Sequence, residues 1–226
     1  VLSRSCALTA VTAVLSAWQE RKENSVRQQL REFCYEASAK RGAKRREVEV
    51  TDCFVPLLRW VLEGYSGKQL ALAIDATSLG QRFVVLAISV VYRGCAIPVA
   101  WAVLPAGQKG AWRPVWLRLL RRLWRAVPHD WTVIVLADRG LYARWLYRRI
   151  VRMRWHPFLR INVRGSFRPD GQGVFRPLRQ LTPQVGAPWA GRGTAFATRD
   201  SQLQCTLLAR WEPEYKDPWL ILTDLP

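Results

Sequence analysis

Two aspartates close two apolar runs of matching size. Leu70-Ala-Leu-Ala-Ile-Asp-Ala-Thr77 delivers Asp75, and Val133-Ile-Val-Leu-Ala-Asp-Arg-Gly140 delivers Asp138. Short, continuous apolar runs bounded by polar residues and glycine predict strands covered on both faces, where a charge is tolerated only at the strand end or beside a metal. If the strands are neighbours, their carboxylates repel each other and one pKa rises unless a cation sits between them. Hard oxygen ligands completed by water and phosphate suit Mg²⁺. Two such ions would activate an attacking water or hydroxyl and stabilise the leaving oxygen of a phosphodiester. Either aspartate alone could merely cap a turn or a helix start, Asp138 that of a helix from Leu141. Two acids at matched strand ends favour the metal.

The elements around them predict how they meet. After the strand Leu70 to Asp75, a turn through Ser78 to Gln81 leads to a second strand, Arg82 to Tyr92, and an Arg93-Gly94 turn to a third, Cys95 to Leu104. This is an antiparallel meander whose third strand contains Pro98, which cannot donate to a ladder and so belongs at an edge. Pro105, Gly107 and Gly110 open a helix, Trp112 to Ala126, before the strand Trp131 to Asp138. Strand, helix, strand implies a right-handed crossover to a parallel neighbour. With that strand beside the first, the order is 3-2-1-4, and both carboxylates face one small volume across strands ~4.8 Å apart. A basic helix, Leu141 to Arg154, and a fifth strand, Pro157 to Asn162, follow.

The charge names a class of partner. The 226 residues carry 35 Lys and Arg against 17 Asp and Glu, a formal net charge of +18, with 50% hydrophobic residues. Such a chain buries a real core and seeks a polyanion, nucleic acid by default. From Lys109 to Arg168 fifteen basic residues meet two acids, Asp130 and Asp138. A solvated face would mix signs, so this field reads as a phosphate track flanking the acid pair, with Lys109, Arg139, Arg144, Arg148 and Arg149 as candidate contacts.

Upstream, residues 5 to 20 predict a helix, and Asn24 an N-cap for Ser25 to Ala37, with Val26, Leu30, Phe33 and Cys34 on one stripe. Arg27 and Arg31 on its other face are either solvated or set against DNA phosphates. Lys40, Arg41, Lys44, Arg45 and Arg46 form a basic, glycine-broken linker, and a third helix around Val55 to Glu63 has Pro56 in its first turn. The expected organisation is a helical DNA-binding module over 1–66, a catalytic core over 67–164, and from 165 a Gly- and Pro-punctuated β-rich insertion that starts and does not return to the core. Its strands are expected at Thr194 to Thr198, Leu203 to Trp211 and Trp219 to Thr223.

Five scattered cysteines without a CxxC pair argue against a zinc site or disulfide framework and fit a reducing cytoplasm. Arg93, Gly94 and Pro98 divide Phe83 to Leu104 into a hairpin rather than a membrane span, so no membrane partner is expected. The alanine-rich start mimics a signal peptide weakly, broken by Thr9 and Thr12, and the missing initiator Met suggests a chain already cut. His129 and His156 lie beside proline or turn residues and are not expected to be ligands. Trp60, Trp101, Trp116 and Trp145 fall among apolar neighbours and predict core, whereas Trp189, Trp211 and Trp219 are alternatively bases' stacking partners.

In this order, Ala73-Ile-Asp-Ala-Thr77, Asp138-Arg-Gly-Leu-Tyr142 with its Asp-x-Gly-x-Tyr pattern, Leu104-Pro-Ala-Gly-Gln-Lys-Gly-Ala-Trp112 before the crossover helix, and the late β-rich insertion resemble the DDE transposases of bacterial insertion sequences, the IS-four group of the RNase H-like superfamily. The likeness covers about Asn24 to Pro226. It implies an α/β fold with an RNase H-like mixed sheet, order 3-2-1-4-5, and a Mg²⁺-dependent enzyme, Mn²⁺ substituting, with Asp75 and Asp138 as catalytic metal ligands. It also implies nicking of the element's ends and transfer of the freed 3′ hydroxyl to target DNA, terminal inverted repeats bound by the helical part, a homodimer in the synaptic complex, and residence on the nucleoid. The group's third acid lies in a Tyr-x-x-Arg-x-x-x-Glu helix after the insertion. Tyr-x-x-Arg occurs nowhere here, and Pro213 between Glu212 and Glu214 argues against such a helix, so no third catalytic glutamate and an incomplete active site are expected. The alternatives are an inactive DNA-binding remnant and another RNase H-like nuclease, such as a junction resolvase.

Overall fold

Every second residue of the first apolar run is buried, and that alternation layers the fold. In the computed structural model, which describes residues 7–33, 35–40, 42, 45–107, 109–182 and 184–226, two compact units form, 1–53 and 54–226. In the first, α1 (Leu8–Gln19) packs on α2 (Glu23–Phe33), burying Thr12 and Val26. The Thr12 hydroxyl is satisfied by the Leu8 carbonyl at 2.6 Å. Helix α2 begins before Asn24, which therefore sits in its first turn beside the favourably placed acid Glu23. It also stops at Phe33, short of the expected Ala37, whose N–H goes instead to the Glu47 carboxylate at 3.2 Å. Cys34 of the expected stripe lies outside the described residues, and Phe33 is 58% exposed.

The second unit begins with α3 (Phe54–Glu63), whose Phe54, Leu58 and Leu62 recur at helical spacing and join the main core. The sequence places this helix in the N-terminal module; its apolar face puts it in the core layer. Trp60, expected in the core, points outward at 62% exposure, while Trp116 is buried.

The strands β1 (Gln69–Leu79), β2 (Phe83–Tyr92) and β3 (Cys95–Pro105) form the meander. Arg93 and Gly94 both have left-handed φ, +48° and +79°, which suits a tight two-residue hairpin turn. Strand β3 is the sheet edge, and its register slips where Pro98 faces Ser89, a bulge that accommodates the missing N–H. Helix α4 (Trp112–Trp124) leads to β4 (Thr132–Ala137), and α5 (Arg144–Arg152) to β5 (His156–Arg160). Strand β4 is parallel to both β1 and β5. Both helices cross the sheet in the same direction, and right-handed crossovers then place them on one face. That face carries Leu70, Leu72, Ile74, Val133, Val135, Ala137 and Leu159, all buried in one cluster with Leu120 and Leu146 of the helices. The alternate residues Ala73, Ile134, Leu136 and Phe158 are only half-buried, so the other face is left open among the described residues.

The remaining strands, β6 (Ser166–Pro169), β7 (Arg176–Pro177), β8 (Trp189–Ala195), β9 (Leu203–Arg210) and β10 (Trp219–Thr223), with the short α6 (Leu178–Leu181), correct the expectation of an unreturned insertion. Strand β10 pairs antiparallel with β5, Ile221 opposite Arg160 and Thr223 opposite Phe158. The result is a single ten-stranded sheet, β3-β2-β1-β4-β5-β10-β9-β8-β6-β7. Its first five strands have the order and senses of an RNase H-like mixed α/β sheet. Leu220 and Leu222 extend the buried face past Leu159, which is why the segment closes onto β5. No helix among the described residues is long and apolar enough to cross a membrane.

Gly193 marks the tightest approach in this sheet: a Cβ there would lie 2.2 Å from the Arg168 carbonyl of β6, whereas one on Gly173 would meet nothing within 4 Å. Gly193→Ala is expected to lower stability by about 1–3 kcal/mol and Gly173→Ala to stay within about 0.5 kcal/mol in urea denaturation. Equal midpoints for the two variants would contradict the close β6–β8 packing.

Candidate active site

Ile74 and Ala137 are the last paired residues of the parallel β1–β4 ladder. Asp75 and Asp138 are therefore the next pair, across a gap of about 4.8 Å between strand axes. Because side chains alternate, the buried faces of Ile74 and Ala137 oblige the two aspartates onto the open face. Both are exposed. Asp75 differs from expectation in one respect: β1 does not end there but runs to Leu79, held by β2 with Asp75 opposite Ala87. The carboxylate is accommodated because pairing with β4 has stopped, which opens that flank of β1 to solvent. Thr77, two residues on and hence on the same face, donates its hydroxyl to Asp75 Oδ2.

Asp138 is not a helix cap. Helix α5 starts only at Arg144, with Ala143 at its N-cap, and the Asp138 backbone carbonyl instead accepts the Leu141 N–H at 2.9 Å in a turn. Its carboxylate accepts from Arg160 Nη1 at 3.1 Å. Arg160 stands one step beyond the last β4–β5 pair, Ala137 and Leu159, just as Asp138 does. Its guanidinium lies 4.2 Å from the centre of the Trp219 ring of β10, a cation–π contact that holds it over the open face. Arg160 was not among the candidates from sequence. A signal existed: the expected fifth strand, Pro157 to Asn162, carries a single charged residue, Arg160. Ala73, Leu136, Phe158, Trp219 and Ile221 line the groove in which Asp138 and Arg160 sit.

The donor set suits a hard cation in part. Two carboxylates on adjacent strands, exposed to water and free of soft ligands, match the way Mg²⁺ is held by few protein oxygens plus water and phosphate. Among the described residues no group of three His, Cys, Asp or Glu could hold a metal. Glu212 is engaged by Arg210, and Asp217 lies 3.6 Å from Arg179.

The residues after Asp138 divide between structure and openness. Tyr142 stacks on Phe196 at the end of β8, with ring centroids 5.7 Å apart, which ties the turn to the distal strands. Burial raises its phenol pKa, and its hydroxyl has no partner among the described residues. Gly140 has no positive φ and open space where a Cβ would be, so the fold itself does not require glycine there.

The predicted basic contacts separate into groups. Arg139 is exposed immediately beside Asp138, and Arg144 half-exposed at the start of α5; Arg148 is on the outer side of α5, and Arg149 is half-buried. In the first unit, Arg31 and Arg46 are exposed, but Arg27 is ion-paired with Glu23 at 3.2 Å. Lys40 donates to the Arg46 carbonyl at 2.6 Å, and Arg45 Nε to that of Gly42 at 2.9 Å, so both help fold the linker. Arg41, Lys44 and the Lys109 side chain lie outside the described residues.

Removing only the unpartnered hydroxyl, Tyr142→Phe is expected to leave stability within about 0.5 kcal/mol. Tyr142→Ala should cost about 2–3 kcal/mol by lost burial. Chemical denaturation compares them, and a large loss in the Phe variant would show that the hydroxyl is bonded.

No family model and no curated protein matches the sequence. Among solved structures the chain is similar to the piggyBac transposase synaptic complex with hairpin DNA, at TM-score 0.39 and 10% identity over 71% of this chain and 34% of that one. It is also similar to the Mos1 strand transfer complex, at TM-score 0.27 and 15% identity over 65% of this chain and 52% of that one. The chain thus spans about a third of the first and about half of the second.

Proposed function

We propose that this chain contributes the catalytic core of a DDE transposase of the IS-four type, acting on the ends of its own element. The observation that carries this is the register of β1 and β4, which sets Asp75 and Asp138 side by side on the open face of an RNase H-like sheet. Asp75 and Asp138 would hold Mg²⁺, with Mn²⁺ as a substitute; when bound, the metal activates the attacking oxygen and stabilises the leaving one. Thr77 fixes the orientation of the Asp75 carboxylate. Arg160 neutralises Asp138, and its fork of donors suits a phosphate oxygen of the strand being cut. Arg139, exposed next to Asp138, is placed to neutralise the backbone of the strand being cut. The +18 charge supports DNA as the partner. Terminal inverted repeats on the helical unit, target DNA and a homodimeric synaptic complex belong to the same proposal through the motif resemblance.

A second reading, DNA binding without cleavage, is favoured by the lack of a third metal ligand beside the pair among the described residues. Metal titration and strand chemistry separate the two. In Mn²⁺ calorimetry the chain is expected to bind, Asp75→Asn and Asp138→Asn to lose binding, and Arg160→Gln to bind at least as tightly because the competing cation is gone. Either Asn variant should abolish cleavage of element ends while retaining DNA binding. Cleavage that survives both substitutions would refute the transposase assignment; metal binding by the protein without any cleavage would favour the DNA-binding reading.

A further inference from the structure

Helices α4 and α5 carry eight arginines, Arg113, Arg118, Arg121 and Arg122 on the first and Arg144, Arg148, Arg149 and Arg152 on the second, and neither helix has an acid. The two helices lie side by side and run the same way. At their starts the Arg113 guanidinium lies 5.5 Å from the centre of the Trp145 ring, and at their ends Trp124 Nε1 donates to the Met153 carbonyl at 3.0 Å. Their apolar residues, Leu119, Leu120 and Leu123 on α4 and Leu146 and Ile150 on α5, are buried toward the sheet. Arg118 and Arg121 of α4 and Arg125 at its C-cap consequently form one exposed row, and Arg148 and Arg152 a second row one helix width away. Packed helices are separated by about 8–10 Å.

We infer that this double row is a second nucleic-acid surface, which takes the phosphate backbone of duplex DNA on the sheet face opposite Asp75 and Asp138. Arg118 to Arg125 spans about 10 Å of helix, a length over which a duplex presents about six phosphates. Every cation in the rows is arginine, whose planar fork binds phosphate oxygens in pairs, whereas a face built only for solubility would mix signs. Sequence reasoning assigned the basic field to the flank of the acid pair; the crossovers put these rows behind the sheet. The surface goes beyond the cleavage chemistry and stands whether or not the aspartates hold a metal. With both faces engaged, one chain would hold two DNA segments across the thickness of its sheet and helix layers.

The test is fluorescence anisotropy with a blunt 30-base-pair duplex that contains no element end, titrated between 50 and 200 mM KCl. The variant Arg118→Gln/Arg121→Gln/Arg125→Gln should bind at least about tenfold more weakly, with the slope of log K against log [KCl] reduced by about two to three, roughly one per phosphate contact. A control with the same charge loss, Arg93→Gln/Arg176→Gln/Arg199→Gln, should change the slope by less than one. Circular dichroism melts check that all variants remain folded, as expected for exposed positions. In an Asp75→Asn/Asp138→Asn background the three α4 substitutions should still lower the slope by about two to three, so a failed metal site and a failed helix surface give different results. An unchanged slope in the α4 variant overturns the inference. So does an equal loss in the control, which would mean diffuse charge, or arginine-dependent binding to vesicles containing phosphatidylserine without binding to the duplex, which would mean a membrane surface.

Discussion

The site depends on one geometric constraint, the period of two in a β-strand. Along β1 and β4 the residues that face the helices must be apolar, and Ile74 and Ala137 are the last that satisfy that demand as a pair. The next residue on each strand must point the other way. Two carboxylates then stand next to each other, on a face where water can still reach them, and only a parallel ladder in this register delivers both at the same level. A slip of one residue would bury one aspartate under α4 and α5, where nothing compensates a charge.

A third strand enters that arrangement through Arg160. Strand β5 repeats the register of β4 and ends on a guanidinium instead of a carboxylate, so the three parallel strands present acid, acid and base at one level of the sheet. What keeps the base in place comes from farther along the chain. Trp219 begins β10, and by pairing with β5 that strand lays an indole under the guanidinium. The distal strands are therefore part of the site's foundation, and Tyr142 stacked on Phe196 ties the Asp138 turn to the same region.

The charge is divided by the sheet. On the open face, Asp138 and Arg160 neutralise each other within an apolar groove. On the covered face, the helices turn their leucines inward and their arginines outward, so the field there is of one sign. The first unit is different again: Arg27 is matched by Glu23, and Lys40 and Arg45 are spent on the backbone of the linker. Counting basic residues along the chain treats all of these alike; the hydrogen bonds and the layering do not.

Much of the core was legible because it rests on local pattern. Apolar runs of strand length, the Arg93-Gly94 turn, Pro98 as an edge marker and the strand–helix–strand crossover give the order 3-2-1-4 and the nearness of Asp75 and Asp138 once the fourth strand is set beside the first, and the motif resemblance adds the fifth strand. Other features were not legible. Whether β1 stops at Asp75 depends on β2 continuing to hold it, whether Asp138 caps a helix depends on where α5 starts, and Trp60 looks like core until the face of α3 is known. Arg160 gains meaning only when β4 and Trp219 are its neighbours, and the return of β10 depends on which edge offers both unpaired backbone groups and a continuous buried face. The sequence by itself determined the two carboxylates, their strands and the basic character of the chain. Tertiary structure alone decided what surrounds the carboxylates and which face each arginine occupies, because those follow from strand pairing and helix placement between segments distant in sequence.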